Sequence, residues 1–151
     1  SRPATSHRRT ERNDGLHASA ATPHPTPVTH SPRFLALVDA ARRGITETDA
    51  ETVRQRIAAG DAFTLVDVRE ADEWARGHLP GAVLMPRGVL ERDAEAAFPD
   101  PDTPLVLYCG GGYRSALAAQ SLGQMGYTTV ASMDGGWRAW TEAGYETEGG
   151  A

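Results

Sequence analysis

The chain has 151 residues, a formal net charge of −5 and 15 basic residues, every one of them Arg. Without Lys there is no Schiff-base amine, one Cys allows neither an internal disulfide nor a multi-thiolate metal site, and the acidic balance offers no footprint for a nucleic-acid backbone. The length suits one domain of ordinary size, and a single free thiol is expected in a reducing compartment, hence the cytoplasm.

Residues 1–32 contain five Pro, four of the five His and few apolar side chains, too little surface to offset the entropy of ordering, and are read as a disordered extension. His7, His17, His24 and His30 match no compact ligand spacing, so no metal site is expected there. No apolar run of signal length follows Arg8-Arg9, although Arg and Ser content leaves a transit peptide open. No stretch approaches the length of a membrane span.

The working domain is expected over 33–151. A docking helix at 33–43 carries Phe34, Leu35, Leu37, Val38 and Ala41 on one side and ends at Gly44. Ile45 to Thr48 reads as a brief strand. Thr48-Asp49-Ala50-Glu51 has capping-box spacing and opens a helix that runs to Gly60. Phe63 to Val68 is a strand, Ala71 to Ala75 a helical turn, and Ala82 to Met85 a further strand beyond the Gly77, Pro80 and Gly81 breaks. Leu105 to Tyr108 is a strand, followed by a helix from about Ser115 to Gly126, a strand at Val130 to Met133, and a last helix with Trp137 and Trp140 that stops at Gly144. Short continuous apolar runs alternating with helices indicate an α/β domain whose parallel sheet is covered on both faces.

In such sheets, ligands bind beyond the carboxyl ends of strands. Cys109 stands at one of these ends, followed by Gly110, Gly111, Gly112, Tyr113, Arg114 and a helix. Three glycines let the backbone curl so that N–H groups converge, the helix adds its positive end, and Arg114 adds a fixed charge; a thiolate at Cys109 is therefore favoured over the thiol. The same donors suit the negative persulfide formed when a thiolate takes up a sulfur atom. Cys109 to Arg114 is C-x4-R, one residue shorter than the C-x5-R ring that cysteine phosphatases close around a phosphate. Outside this context a lone strand-end Cys is more often an inert small hydrophobe, and the glycine curl with Arg114 is what reverses that reading. Tyr113 is assigned to the rim. Asp67 and Arg69 lie two apart on a strand and share a face, which suits a structural pair supporting the adjacent loop. His78 precedes Leu-Pro-Gly and is read as capping backbone rather than as a general base. The three Trp are core aromatics.

The loop Cys109-Gly-Gly-Gly-Tyr-Arg114-Ser115-Ala116 resembles the active loop of the rhodanese-like sulfurtransferases. Two further segments agree in order and distance. Leu65-Val66-Asp67-Val68-Arg69-Glu70 through Glu73-Trp74, with Gly77-His78-Leu79-Pro80-Gly81-Ala82, is similar to the family's N-terminal signature. Asp134-Gly135-Gly136-Trp137-Arg138-Ala139-Trp140 is similar to its C-terminal one. Together they cover about 47–148. The resemblance implies a three-layer α/β/α fold around a mainly parallel sheet of about five strands, and transfer of a sulfane sulfur from thiosulfate or a persulfide through Cys109 to cyanide, a low-molecular-weight thiol or a protein thiol, with no cofactor or metal. Where thiosulfate-specific relatives carry basic residues, this chain offers Glu73 and Gly111, which counts against a dianionic donor. Because Cys109 has no second Cys beside it, the acceptor thiol must come from another molecule. The rival expectations are a non-catalytic protein-binding module of the same fold and a Cys-dependent phosphatase or arsenate reductase.

Overall fold

Helices and strands alternate along the described residues. The computed structural model describes residues 29–150, so the extension expected at 1–32 falls almost wholly outside the described residues. The unit described below is Ser31–Ala151. Its elements are α1 (Pro32–Arg42), β1 (Thr46–Asp49), α2 (Ala50–Ala58), β2 (Thr64–Asp67), α3 (Ala71–Ala75), β3 (Val83–Leu84), α4 (Arg87–Ala97), β4 (Leu105–Tyr108), α5 (Tyr113–Gln124), β5 (Val130–Asp134) and α6 (Gly136–Glu142). The strands form one five-stranded sheet in the order β1-β5-β4-β2-β3, and each neighbouring pair is parallel. The chain runs outward from β2 to β3 and returns on the other side of β2 as β4. The topological switch, and with it the expected ligand crevice, therefore lies at the carboxyl ends of β2 and β4.

Local chemistry explains most element boundaries. Pro32 opens α1, where its missing N–H costs nothing. Asp49 both ends β1 and caps α2, accepting the Thr52 N–H at 2.8 Å; the cap expected at Thr48 thus falls one residue later. Helix α5 begins at Tyr113, not at Ser115, because Gly112 takes φ +96° and turns the chain directly into the helix. Helix α4 has no counterpart in the sequence reading. It has no side-chain cap, carries Gly88 in its first turn and buries only Leu90 and Ala94; what starts it is the sheet edge, since Arg87 N–H donates to Val68 O at 3.0 Å.

The two faces of β4 show how the core is divided. Leu105, Leu107 and Cys109 enter a cluster with Val66, Val68, Leu90, Ala118 and Leu122 under α4 and α5. Val106 and Tyr108 enter the opposite cluster with Val53, Leu65, Leu79, Met133 and Trp140. Period-two alternation alone therefore places Cys109 and Tyr108 on different faces.

The Tyr108 face holds a buried polar knot. Asp67 and Tyr108 are register partners, and the Tyr108 hydroxyl donates to Asp67 Oδ2 at 2.6 Å while accepting the Leu79 N–H at 3.0 Å. Arg69 donates to the same carboxylate at 2.7 and 3.0 Å and to Gly77 O at 2.7 Å. Its guanidinium also lies 4.6 Å from the Trp137 ring centroid. Burial alone would lower the Arg69 pKa, but the Asp67 carboxylate holds it above its ordinary value. Burial and the adjacent Asp67 charge push the Tyr108 phenol far up.

Asp67→Ala leaves a buried guanidinium without its counter-charge and should cost roughly 3–5 kcal/mol in urea unfolding, most of it recovered when Arg69→Met is added. Leu107→Ala, at a position 0% exposed, should cost about 2–5 kcal/mol in the same measurement through the cavity it leaves.

Candidate active site

Cys109 leaves β4 at the switch point, and only 1% of the residue is exposed. Two sets of backbone bonds define the loop around it. The first holds its carbonyls: Trp137 N–H donates to Cys109 O at 2.8 Å and Arg138 N–H to Gly110 O at 2.9 Å, both from the start of α6. This contact needs Gly136, at φ +51°, because a Cβ there would collide with the Cys109 carbonyl oxygen. The second set faces the sulfur. Gly112 N–H donates to Cys109 Sγ at 3.1 Å and Ser115 N–H at 3.4 Å, while the Cys109 thiol reaches Ser115 Oγ at 3.5 Å. Ser115 Oγ is in turn 2.8 Å from Ser132 Oγ, and both serines are fully buried. Two amides aimed at one sulfur are placed to stabilise negative charge on it.

Of the three loop glycines, only Gly112 has positive φ. The other two sit in tight quarters: a Cβ on Gly110 would lie 3.2 Å from Arg114 Nη2, and one on Gly111 would lie 3.3 Å from the Tyr113 ring, so either neighbour would have to shift slightly. Arg114 does not project freely from the helix start. Its guanidinium grips Glu73 with Nη1 at 2.7 Å and Nη2 at 3.0 Å, a fork-to-fork pair spanning 41 residues of sequence. The hydrogen bonds from Arg114 hold Glu73 below the usual carboxylate range, and those to Glu73 hold Arg114 above its own, with Cys109 a lesser contributor. Tyr113 forms the first turn of α5. Its ring lies 6.1 Å from that of Phe34 on α1, with the Arg42 guanidinium 5.0 Å from its centroid.

The fold thus gathers Cys109, Gly110, Gly111, Gly112, Tyr113 and Arg114 in one loop and helix start, and sets Asp67 and Arg69 behind it on the other sheet face. His78 makes no part of this group: its ring stacks on Trp74 at 3.6 Å, and its Nδ1 lies 3.0 Å from Leu79 O. Ser132 and Arg42 were not found from sequence. Ser132 is a polar residue at an inward position of a strand, a pattern that could have marked it, whereas Arg42 meets Gly112 O at 3.3 Å across 70 residues of sequence. A cleft of about 380 Å³ lined by Arg54, Ile57, Pro80, Trp140 and Tyr145 lies toward the amino ends of the strands and includes no residue of the Cys109 loop. Among the described residues no group of three or more His, Cys, Asp or Glu could hold a metal, and no helix is long and apolar enough to cross a membrane.

Comparison with known proteins agrees with this architecture. The profile of the Rhodanese-like domain matches residues 49–143. A protein of Allochromatium vinosum named sulfurtransferase is 35% identical over 100 residues, which are 66% of this chain and 92% of that protein. A candidate sulfur carrier protein of Bacillus subtilis, YrkF, is 30% identical over 97 residues, 64% of this chain; the matched region spans about half, 51%, of that relative. Among solved structures, a Rhodopseudomonas palustris protein of unknown function, described as a possible tyrosine phosphatase, superposes with a TM-score of 0.69 at 31% identity, covering 83% of this chain and 99% of the other. With most of the sheet, the Cys109 loop and the turn that holds it inside the matched segment, the chain belongs to the rhodanese-like domain family.

Proposed function

We propose that the protein is a sulfurtransferase that carries a sulfane sulfur on Cys109. The observation that supports this most directly is the pair of amide donors, Gly112 and Ser115, converging on Cys109 Sγ. The Cys109 thiolate attacks the outer sulfur of the donor, a sulfur–sulfur bond forms at Sγ, and the donor's own sulfur–sulfur bond breaks, its electron pair leaving with sulfite or a thiolate. A second nucleophile, cyanide or a thiol, then takes the outer sulfur and returns Cys109 as thiolate. The two half-reactions predict ping-pong kinetics. The thiol acceptor belongs to another molecule, and a catalytic free thiol suits the cytoplasm. The relatives named sulfurtransferase and sulfur carrier protein support the same reaction class.

The solved relative described as a possible phosphatase favours a second reading. The four-residue interval from Cys109 to Arg114 counts against it, and so does Arg114 itself, because both terminal nitrogens that would grasp a phosphate are held by Glu73.

On incubation with thiosulfate or with a thiol persulfide, the protein should gain one sulfur atom in intact mass, and Cys109→Ser should gain none; a wild type that takes sulfur from neither donor would point to the non-catalytic module instead. Aryl phosphate should not be turned over, and turnover abolished by Cys109→Ser would establish the phosphatase reading. Glu73→Gln removes a negative charge beside the loop and frees Arg114, so kcat/KM for thiosulfate should rise roughly fivefold to tenfold, with a smaller change for a thiol persulfide. Because Arg114 depresses the Glu73 pKa, the carboxylate stays ionised at every pH above the usual carboxylate range. The gain measured by initial rates should therefore be the same from pH 6 to pH 8, both of which lie above that range.

A further inference from the structure

We propose that Arg42, on the helix that precedes the matched domain segment, is a positioning residue for the Cys109 loop. The inference rests on the sulfur-transfer reading above and extends it to α1, which ends before residue 49 where the family match begins. Arg42 Nη2 donates to the Gly112 carbonyl at 3.3 Å. The Gly112–Tyr113 peptide is trans, so its N–H points opposite to that carbonyl, away from Arg42. On either side of it in sequence, the Gly112 and Ser115 N–H groups already face the sulfur. A donor fixed on the Gly112 carbonyl therefore orients the first peptide of α5.

The surroundings of Arg42 argue that this placement is built. Its guanidinium lies over the Tyr113 ring at 5.0 Å, and Nη2 is 3.6 Å from Asp134 Oδ1, on the strand that leads into the α6 turn. Its Nε is buried without a hydrogen bond, 3.8 Å from Glu47 Oε1. A guanidinium with only a solvating role would turn that donor to water; here the side chain gives it up and reaches the loop. Tyr113 is thereby held between Phe34 and Arg42 of α1, and Gly112 between Arg42 on one side and the sulfur on the other.

The test compares Arg42→Gln, Arg42→Lys and Val38→Ala, the last a fully buried α1 residue outside the loop, by thermal unfolding, by hydrogen exchange of the segment 109–116, and by steady-state sulfur transfer with thiosulfate or a thiol persulfide. Removing a direct donor to a developing anion costs on the order of a hundredfold or more, so loosening one should lower kcat by about tenfold in Arg42→Gln. KM should change less than twofold. Lysine, which keeps one donor and the charge, should restore part of the loss. Val38→Ala should lower the melting temperature at least as far while leaving kcat within twofold, and exchange at 109–116 should quicken only in Arg42→Gln. If that exchange is unchanged, or quickens equally in Val38→Ala, Arg42 does not hold the loop. If the loop loosens but kcat does not fall, it does not position the chemistry. A wild type that accepts no sulfur overturns the transfer reading instead, and the exchange comparison still decides whether Arg42 holds the loop.

Discussion

Two helix starts meet at one loop, and the peptides between them must serve both. The first amides of α6 take the carbonyls of Cys109 and Gly110, while the amides at the start of α5 turn to the sulfur. Fixing the Cys109 and Gly110 carbonyls sets the course of the same short segment that brings the Gly112 and Ser115 N–H groups to the sulfur, so the two sets of bonds constrain one loop. It works only at a separation that a side chain at position 136 would forbid. The lengths of β4 and β5, the turn at Asp134-Gly135-Gly136 and the left-handed step at Gly112 all follow from bringing those two helix ends to the same place.

Charge near the loop is arranged in compensated pairs. Arg114 is matched by Glu73, and Arg42 lies beside Asp134 and Glu47, so neither guanidinium presents an uncompensated field to an approaching anion. The buried Asp67–Arg69 pair follows the same rule on the other face, where the Tyr108 hydroxyl and the Gly77 carbonyl complete its hydrogen bonds. The sulfur is thus stabilised chiefly by short-range dipoles, which act at contact distance and weaken little with salt, rather than by a diffuse positive potential.

Much of this was legible in the sequence because it is local. Continuous apolar runs identified the strands, glycine and proline ended the helices, and the Cys109 to Arg114 interval showed both the loop and its length. What was not legible depends on partners far away in sequence. Helix α4 lacks a cap and a continuous apolar face, and is started by the backbone of Val68. Arg42 looks like a solvated helix end until α5 is placed beside it. Glu73 could be seen as a carboxylate in place of a base, but not as the clamp on Arg114, since that pairing exists only once α3 and α5 converge.

The near-complete enclosure of Cys109 has a consequence for the order of encounters. Around the sulfur are the apolar side chains of its core cluster, Leu107 and Ala118 among them, and Ser115, which pairs with Ser132. A persulfide's outer sulfur would stand about 2 Å beyond Sγ, one sulfur–sulfur bond length. On the sulfur-transfer reading, the unloaded protein conceals its nucleophile, and a persulfide would extend the reactive group beyond the buried Sγ. On that reading a bulky acceptor, such as a thiol on another protein's surface, would meet the loaded form more readily than the form it leaves behind, and exposure itself would give the transfer a direction.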